Sequence, residues 1–244
     1  MLQRQAMMEC AGEQLELLSA RAVLWPRERT LFVADIHLGK TASFRAAGVA
    51  APEQTTPVDL GRLGTLIDAT RVERLVILGD LLHAAAGRTP AVLDLVAKWR
   101  RSFHEIEILL VRGNHDRKAG DPPSAWRMGC VDPGEALGPF VLHHEPDEWM
   151  LHDEFAQGYA LVGHIHPAVI ARDNGALAKR GAYKRLPAFV MGQTRAILPS
   201  FGSFTGTGRV TPAPTDRVFV LLGDDVRSTQ IAELPVTRTL ASST

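Results

Sequence analysis

The sequence predicts an α/β fold: two stacked β-sheets with helices on the outside. In the first half, short apolar runs that end in polar turns alternate with segments of helical period. In the second half, helical period gives way to short strands broken by Gly, Pro and Asp. A chain of 244 residues with 45% hydrophobic content can bury one large core, and no composition shift marks a linker.

The stretches LELLSARAVLW and RTLFVAD flank a turn from Pro26 to Arg29 and read as a β-hairpin whose second strand runs into Asp35. From about Val58 to Ala69, Leu60, Leu63, Leu66 and Ile67 recur at helical intervals. RLVILGD is an apolar run closed by a polar turn, as expected of a buried parallel strand. PAVLDLVAKWRRSF repeats the helical period and EIEILLVRGNHD repeats the strand, so the first sheet is expected to be mainly parallel. ALGPFVLHH, YALVGHIH, PAFVMG, RAILPSFG and RVFVLLGD then predict a second, mixed sheet, with one helical turn near Trp149 to Phe155. A single domain is expected over 1–244, its core at about 15–235 and its tail frayed after Pro235.

Composition narrows the function. Basic and acidic residues number 27 each, so the molecule as a whole lacks the charge of a general nucleic-acid binder. Cys10 and Cys130, far apart and in no CxxC pair, indicate neither a disulfide framework nor a thiolate zinc site. The N-terminal MLQRQAMMECAGEQ has no apolar stretch after a basic start, and no run approaches the roughly 20 residues of a membrane span. A cytoplasmic protein is expected.

Five segments, each just after an apolar run, carry the chemistry. They hold Asp35 and His37 in VADIHLGK, Asp80 in VILGDLLH, Asn114 and His115 in VRGNHDR, His143 and His144 in VLHHEP, and His164 and His166 in LVGHIHP. Ligands of open α/β sheets gather beyond the carboxyl ends of strands, where all five are expected. In a strand, residues two apart share a face, which would bring Asp35 and His37, and likewise His164 and His166, to one point. Imidazoles mixed with carboxylate and amide around a shared oxygen ligand suit a two-metal hydrolytic site. Asp80 is the natural bridge. Asp35, His37 and His166 complete one set, and Asn114, His144 and His164 the other. A hydroxide held between two such cations is the expected nucleophile on phosphorus. Gly79, Gly113 and Gly163 are expected to let the backbone turn at strand ends.

The ordered set resembles the calcineurin-like metallophosphoesterase superfamily, with its D-x-H, G-D, G-N-H-[DE], H and G-H-x-H motifs, over roughly Leu31 to Pro167. Together with FRAAG, LGDLLHAAAGR, RGNHDRKAG and the late LPSFGSFTG, it is most similar to the ligase-associated DNA damage response, PdeM-type endonucleases. The resemblance implies a four-layer α/β/β/α sandwich and a binuclear centre of manganese type. It also implies DNA as substrate, single-stranded or damaged, in repair beside a DNA ligase and a helicase. The donor types alone admit Mn, Fe, Zn, Co or Ni. By the same resemblance Asn114 is a metal ligand and His115 the general acid for the leaving alkoxide. Three positions after Asp80, where the superfamily often sets an acid to steady that histidine, stands His83, leaving Asp116 as another support for His115. Adjacent His143 and His144 face opposite ways in a strand, and the superfamily form with proline two positions on favours His144.

Outside the motifs, Arg45 and Lys40 are placed to contact a substrate phosphate, or are solvated helix charges. RDNGALAKRGAYKR, from Arg172 to Arg185, reads as a basic loop whose Arg180 and Arg185 could hold a polyanion and whose Tyr183 could stack on a base. Neutral net charge keeps open the alternative of a small phosphoester such as a nucleotide, a cyclic nucleotide or a nucleoside-diphosphate sugar.

Overall fold

The computed structural model describes residues 5–146, 158–172 and 183–229. The first sheet contains β1 (Gln5–Cys10), β2 (Glu13–Leu18), β3 (Ala22–Trp25), β4 (Thr30–Val33), β5 (Arg74–Leu78), β6 (Glu107–Val111) and β7 (Gly129–Val131), hydrogen-bonded in that order. The expected hairpin is β3–β4, but LELLSARAVLW is itself a second hairpin, β2–β3, turned at Arg21. β1 was not foreseen and carries the sheet N-terminal to the expected core.

The sheet is only half parallel, against the expectation of a mainly parallel one. β1 to β4 pair antiparallel, and β4 to β7 parallel. Connection length explains the division, because tight turns permit only antiparallel neighbours while parallel ones need a crossover. The crossovers carry α1 (Lys40–Ala46), α2 (Thr55–Thr70) and α3 (Pro90–Ser102), and α4 (Asn114–Ala119) follows β6.

The second sheet is mixed, as expected. Its strands are β8 (Glu135–Leu137), β9 (Phe140–Leu142), β10 (Tyr159–Val162), β11 (Pro167–Arg172), β12 (Tyr183–Met191), β13 (Arg195–Ile197), β14 (Gly208–Arg209), β15 (Arg217–Leu222) and β16 (Asp225–Thr229). β10 runs parallel to β9 and β13, while β12 pairs antiparallel with β11, β13 and β15. Lys184 and Arg185 belong to β12, so the expected basic loop is in part a β-hairpin; 173–182, with Arg180, lie outside the described residues, as does the helical turn expected near Trp149 to Phe155.

One apolar layer lies between the sheets, where Leu15, Val23, Phe32, Val76 and Leu78 meet Phe140, Leu161, Phe189 and Phe219. The other lies under the helices, where Leu60, Leu63, Leu66 and Ile67 of α2 cover Leu31, Val33, Leu75 and Ile77. Both faces of the central parallel strands are therefore buried. What remains open is their ends, and the chemistry collects there.

Candidate metal centre

β4, β5, β9 and β10 end at Val33, Leu78, Leu142 and Val162, and each is followed two residues later by Asp35, Asp80, His144 and His164. Asn114 opens α4 just past β6. Five carboxyl ends from two sheets thus face one point.

The shared strand face expected for Asp35 with His37, and for His164 with His166, is not what joins them. The strands have already ended, and the four residues have φ of 54°, 54°, 67° and 51°, with Asp80 also at 54°. Left-handed backbone turns each side chain back toward the common point, at about 1–2 kcal/mol per L-residue. Main-chain hydrogen bonds hold these turns: Asp35 N–H to Gly79 O (3.1 Å), His37 N–H to Asp80 O (2.8 Å) and Gly163 N–H to His144 O (3.0 Å). Strain gathered in this way marks a functional site.

The predicted donors form two clusters, and His37 also belongs to a third group with His83 and His115. In the first, His166 Nε2 lies 3.2 Å from Asp35 Oδ1 and 3.4 Å from His37 Nε2. In the second, His144 Nε2 lies 3.0 Å from Asn114 Oδ1, 3.3 Å from His164 Nδ1 and 3.3 Å from Asp80 Oδ1. Asp80 reaches the first cluster too, its Oδ2 being 3.7 Å from His37 Nε2. His144, not His143, is the member of the adjacent pair that enters a cluster.

These residues fit cations. His144 Nδ1 lies 2.9 Å from Leu78 O and His166 Nδ1 lies 3.0 Å from Gly206 O, so both N–H groups donate outward and both Nε2 lone pairs point inward. Asp35 Oδ1 is buried with no hydrogen-bond partner. Carboxylate, amide and imidazole donor atoms that converge on one point are what a divalent ion satisfies.

Electrostatics agree. Burial drives the His37 imidazole down to about 2, against the Asp80 carboxylate, and keeps it a neutral donor. Burial alone would raise Asp80, but the hydrogen-bonded His144 ring, then the charges of His144 and His37, hold it at about 2. Burial likewise opposes charge on His144, yet the Asp80 hydrogen bond and the Asp35 and Asp80 charges raise it to about 9. A proton and a divalent cation therefore compete for His144 at neutral pH. Cation uptake should release about one proton there, and apparent Mn²⁺ affinity should climb with pH to about 9 and then level off. Calorimetry in buffers of different ionisation enthalpy reads the proton, and affinity falling as pH rises would contradict the assignment.

His115 stands at the edge of both clusters, its Nε2 3.9 Å from Asp80 Oδ2. Its orienting partner is the main chain: Nδ1–H donates to His83 O at 2.6 Å, and the His83 ring stacks on His115 with centroids 4.7 Å apart. Asp116 does not support His115. It is fully buried and accepts the amides of Gly113 (3.0 Å) and Leu82 (3.0 Å), tying α4 to the loop after Asp80. No side-chain pattern encodes a carbonyl partner, so nothing in the sequence could have revealed His83 O.

The remaining predicted residues lie elsewhere. Arg45 Nη1 donates to Ala51 O (3.4 Å) and Pro52 O (3.1 Å), securing the loop after α1. Arg185 donates to Thr207 O (3.2 Å) and lines a groove with Lys184, Arg21 and Arg62. Lys40 lies within the field of Asp35 and Asp80, and burial holds it below the ordinary lysine value.

Three glycines make room for the donors, Gly163 among them, where a Cβ would press on Leu78 O and Asp35 Oδ2. Gly79 does sit in a turn at φ 78°, and a Cβ there would fall inside the His144 ring. Gly113 has φ −90°, so it is needed for space rather than for the turn: a Cβ would strike Asp80 Oδ1. Gly79→Ala should therefore displace His144. We expect the Mn²⁺-induced rise in melting temperature to disappear, with about 1–2 kcal/mol of added backbone strain. Thermal melts with and without Mn²⁺ test this.

The comparisons agree with the geometry. Residues 28–175 match the model of the calcineurin-like phosphoesterase family. No curated protein matches the chain. Among solved structures, the nuclease MPE of Pseudomonas putida is 38% identical with a TM-score of 0.78, covering 93% of this chain and 100% of that one. The phosphoesterase Yfce of E. coli is 17% identical with a TM-score of 0.34, covering 84% of this chain and 94% of that one, and adds nothing further. The matched span runs through every strand end that faces the centre, and it covers more than half of the sequence. The chain belongs to the calcineurin-like phosphoesterase family and is a metal-dependent phosphoesterase.

Proposed function

We propose that the protein is a two-metal DNA phosphodiesterase, an endonuclease that cleaves single-stranded or damaged DNA with Mn²⁺ as its preferred cation. The meeting of both donor clusters across one carboxylate, Asp80, carries this reading. The 38% identity with a solved nuclease supports the substrate class. Asp35, His37, Asp80 and His166 would hold one cation, and Asn114, Asp80, His144 and His164 the other. Fe, Zn, Co and Ni suit the same donors. Divalent cations bound there supply Lewis acidity at phosphoryl oxygens and lower the pKa of water.

The chain's own groups do the rest. His115 delivers a proton from Nε2 to the leaving oxygen, its ring held by the His83 carbonyl. Lys40 offers a positive charge to the phosphate beside the carboxylates. Lys184 and Arg185, with Arg180 in the adjoining segment, take backbone phosphates further along the strand. Work beside a DNA ligase and a helicase in the cytoplasm belongs to the same reading. Among the described residues no helix is long and apolar enough to cross a membrane.

Zero net charge favours the second reading, a small phosphoester substrate. Salt separates the two. Cleavage of a single-stranded oligodeoxynucleotide in Mn²⁺ should weaken steeply with added NaCl, with a slope near −0.7 per phosphate contacted, and Lys184→Ala with Arg185→Ala should flatten it. DNA left uncut while small diesters are hydrolysed, with little effect of salt, would replace the nuclease reading by the second.

A further inference from the structure

We infer that Phe44 and Phe204 form a stacking site for one nucleobase of the substrate strand at the mouth of the metal centre. The inference rests on the nuclease reading and deepens it, since it selects unpaired strands.

Phe44 projects from α1 and packs against His83, with centroids 5.9 Å apart and planes at 72°. His83 in turn stacks on His115. Phe204, on the loop after β13, meets Phe44 at 6.0 Å and 76°. A short run of rings therefore leads from the proton donor to the surface.

Both phenylalanines remain partly exposed. Phe201, three residues earlier on the same loop, shows the alternative: it is 0% exposed and lies under the Arg62 guanidinium at 4.5 Å. Packing explains Phe201 fully and Phe204 only in part. The loop is also stiff. Gly202 N–H donates to Asp35 O (3.1 Å), Ser203 N–H to Asp59 Oδ1 (3.0 Å), Thr205 Oγ1–H to Gly202 O (2.9 Å), and Gly206 O receives His166 Nδ1–H (3.0 Å). Phe204 is thus positioned before substrate arrives, by the loop that also orients a cluster histidine.

Lys40 Nζ lies 6.0 Å from the Phe44 centroid and also feels the Asp35 and Asp80 charges, so a cation accompanies the rings near the centre. A nucleotide presents a base at one end and a phosphodiester at the other, so a base on the rings would leave its phosphate toward Lys40 and the donor clusters. Every base has a π-face, so stacking tolerates sequence, but a duplex keeps those faces covered.

The test uses a single-stranded oligodeoxynucleotide carrying one tetrahydrofuran abasic nucleotide, cut by the full chain in Mn²⁺. Wild type should cleave the bonds flanking the abasic position on the order of tenfold more slowly than the same bonds in the base-bearing strand. Phe44→Leu with Phe204→Leu, which keeps apolar bulk and removes the rings, should slow cleavage of the base-bearing strand and erase the difference. Phe204→Trp should retain it. A 2-aminopurine at that position should be quenched on binding to wild type and not to the leucine variant, and an unchanged Mn²⁺ thermal shift shows that variant folded with its centre intact. Equal cleavage of abasic and base-bearing strands by wild type, or a difference that survives both leucines, overturns the inference while leaving the nuclease reading in place. Failure of wild type to cut any DNA overturns both.

Discussion

Asp80→Ala is expected to abolish phosphodiester hydrolysis, by at least about 10³-fold in kcat/KM, or about 4 kcal/mol in the barrier. Its carboxylate lies within reach of His37 on one side and His144 on the other, and it accepts the His115 amide at 2.9 Å. Removing it leaves the imidazoles of two clusters with Asp35 as their only carboxylate, so charge neutralisation of both cations fails together. The Mn²⁺-induced rise in melting temperature should vanish along with activity on bis(p-nitrophenyl) phosphate. Asp80→Asn, which keeps the shape, guards against misfolding as the cause. Full activity in Asp80→Ala would remove the two-metal model.

His115→Ala should separate proton transfer from metal binding. A positioned general acid contributes about 10²–10⁴ in rate, and that much should be lost from kcat on DNA, whose alkoxide leaving group needs a proton. A nitrophenolate departs without one, so the loss on bis(p-nitrophenyl) phosphate should be smaller. His115 lies outside the two proposed ligand sets, so Mn²⁺ should raise the melting temperature as in wild type. Equal losses on both substrates, or loss of the Mn²⁺ response, would make His115 a ligand rather than a proton donor.

The limits of the sequence reading have physical causes. Leu60, Leu63, Leu66 and Ile67 announce α2 because a helix buried on one face repeats in side-chain type. The donors announce themselves because strand ends are marked by apolar runs. In contrast, the left-handed turns at Asp35, His37, His164 and His166 are invisible, since an Asp-x-His pair looks the same in a strand and in a turn. The carbonyls of Leu78, Gly206 and His83, which set the ring orientations, have no side-chain signature at all. β1 was missed because Ala6 and Met8 alternate with more exposed neighbours in a strand too weakly patterned to stand out. Lys184 and Arg185 disguised the start of β12 as a loop, because adjacent charges on opposite faces of a strand leave no apolar alternation to read.

The left-handed donors also bear on how this protein would decay. Glycine at Asp35, His37, Asp80, His164 or His166 would relieve on the order of 1 kcal/mol of backbone strain while deleting a donor. At these five positions hydrolysis and backbone strain pull in opposite directions. A descendant released from selection for catalysis would shed that strain by drifting toward glycine or asparagine at the three histidines, while Asp35 and Asp80 would be kept by the His164 and His115 amides they accept. The residues at these turns, more than those of the apolar layers, distinguish a working member of the lineage from a silent one.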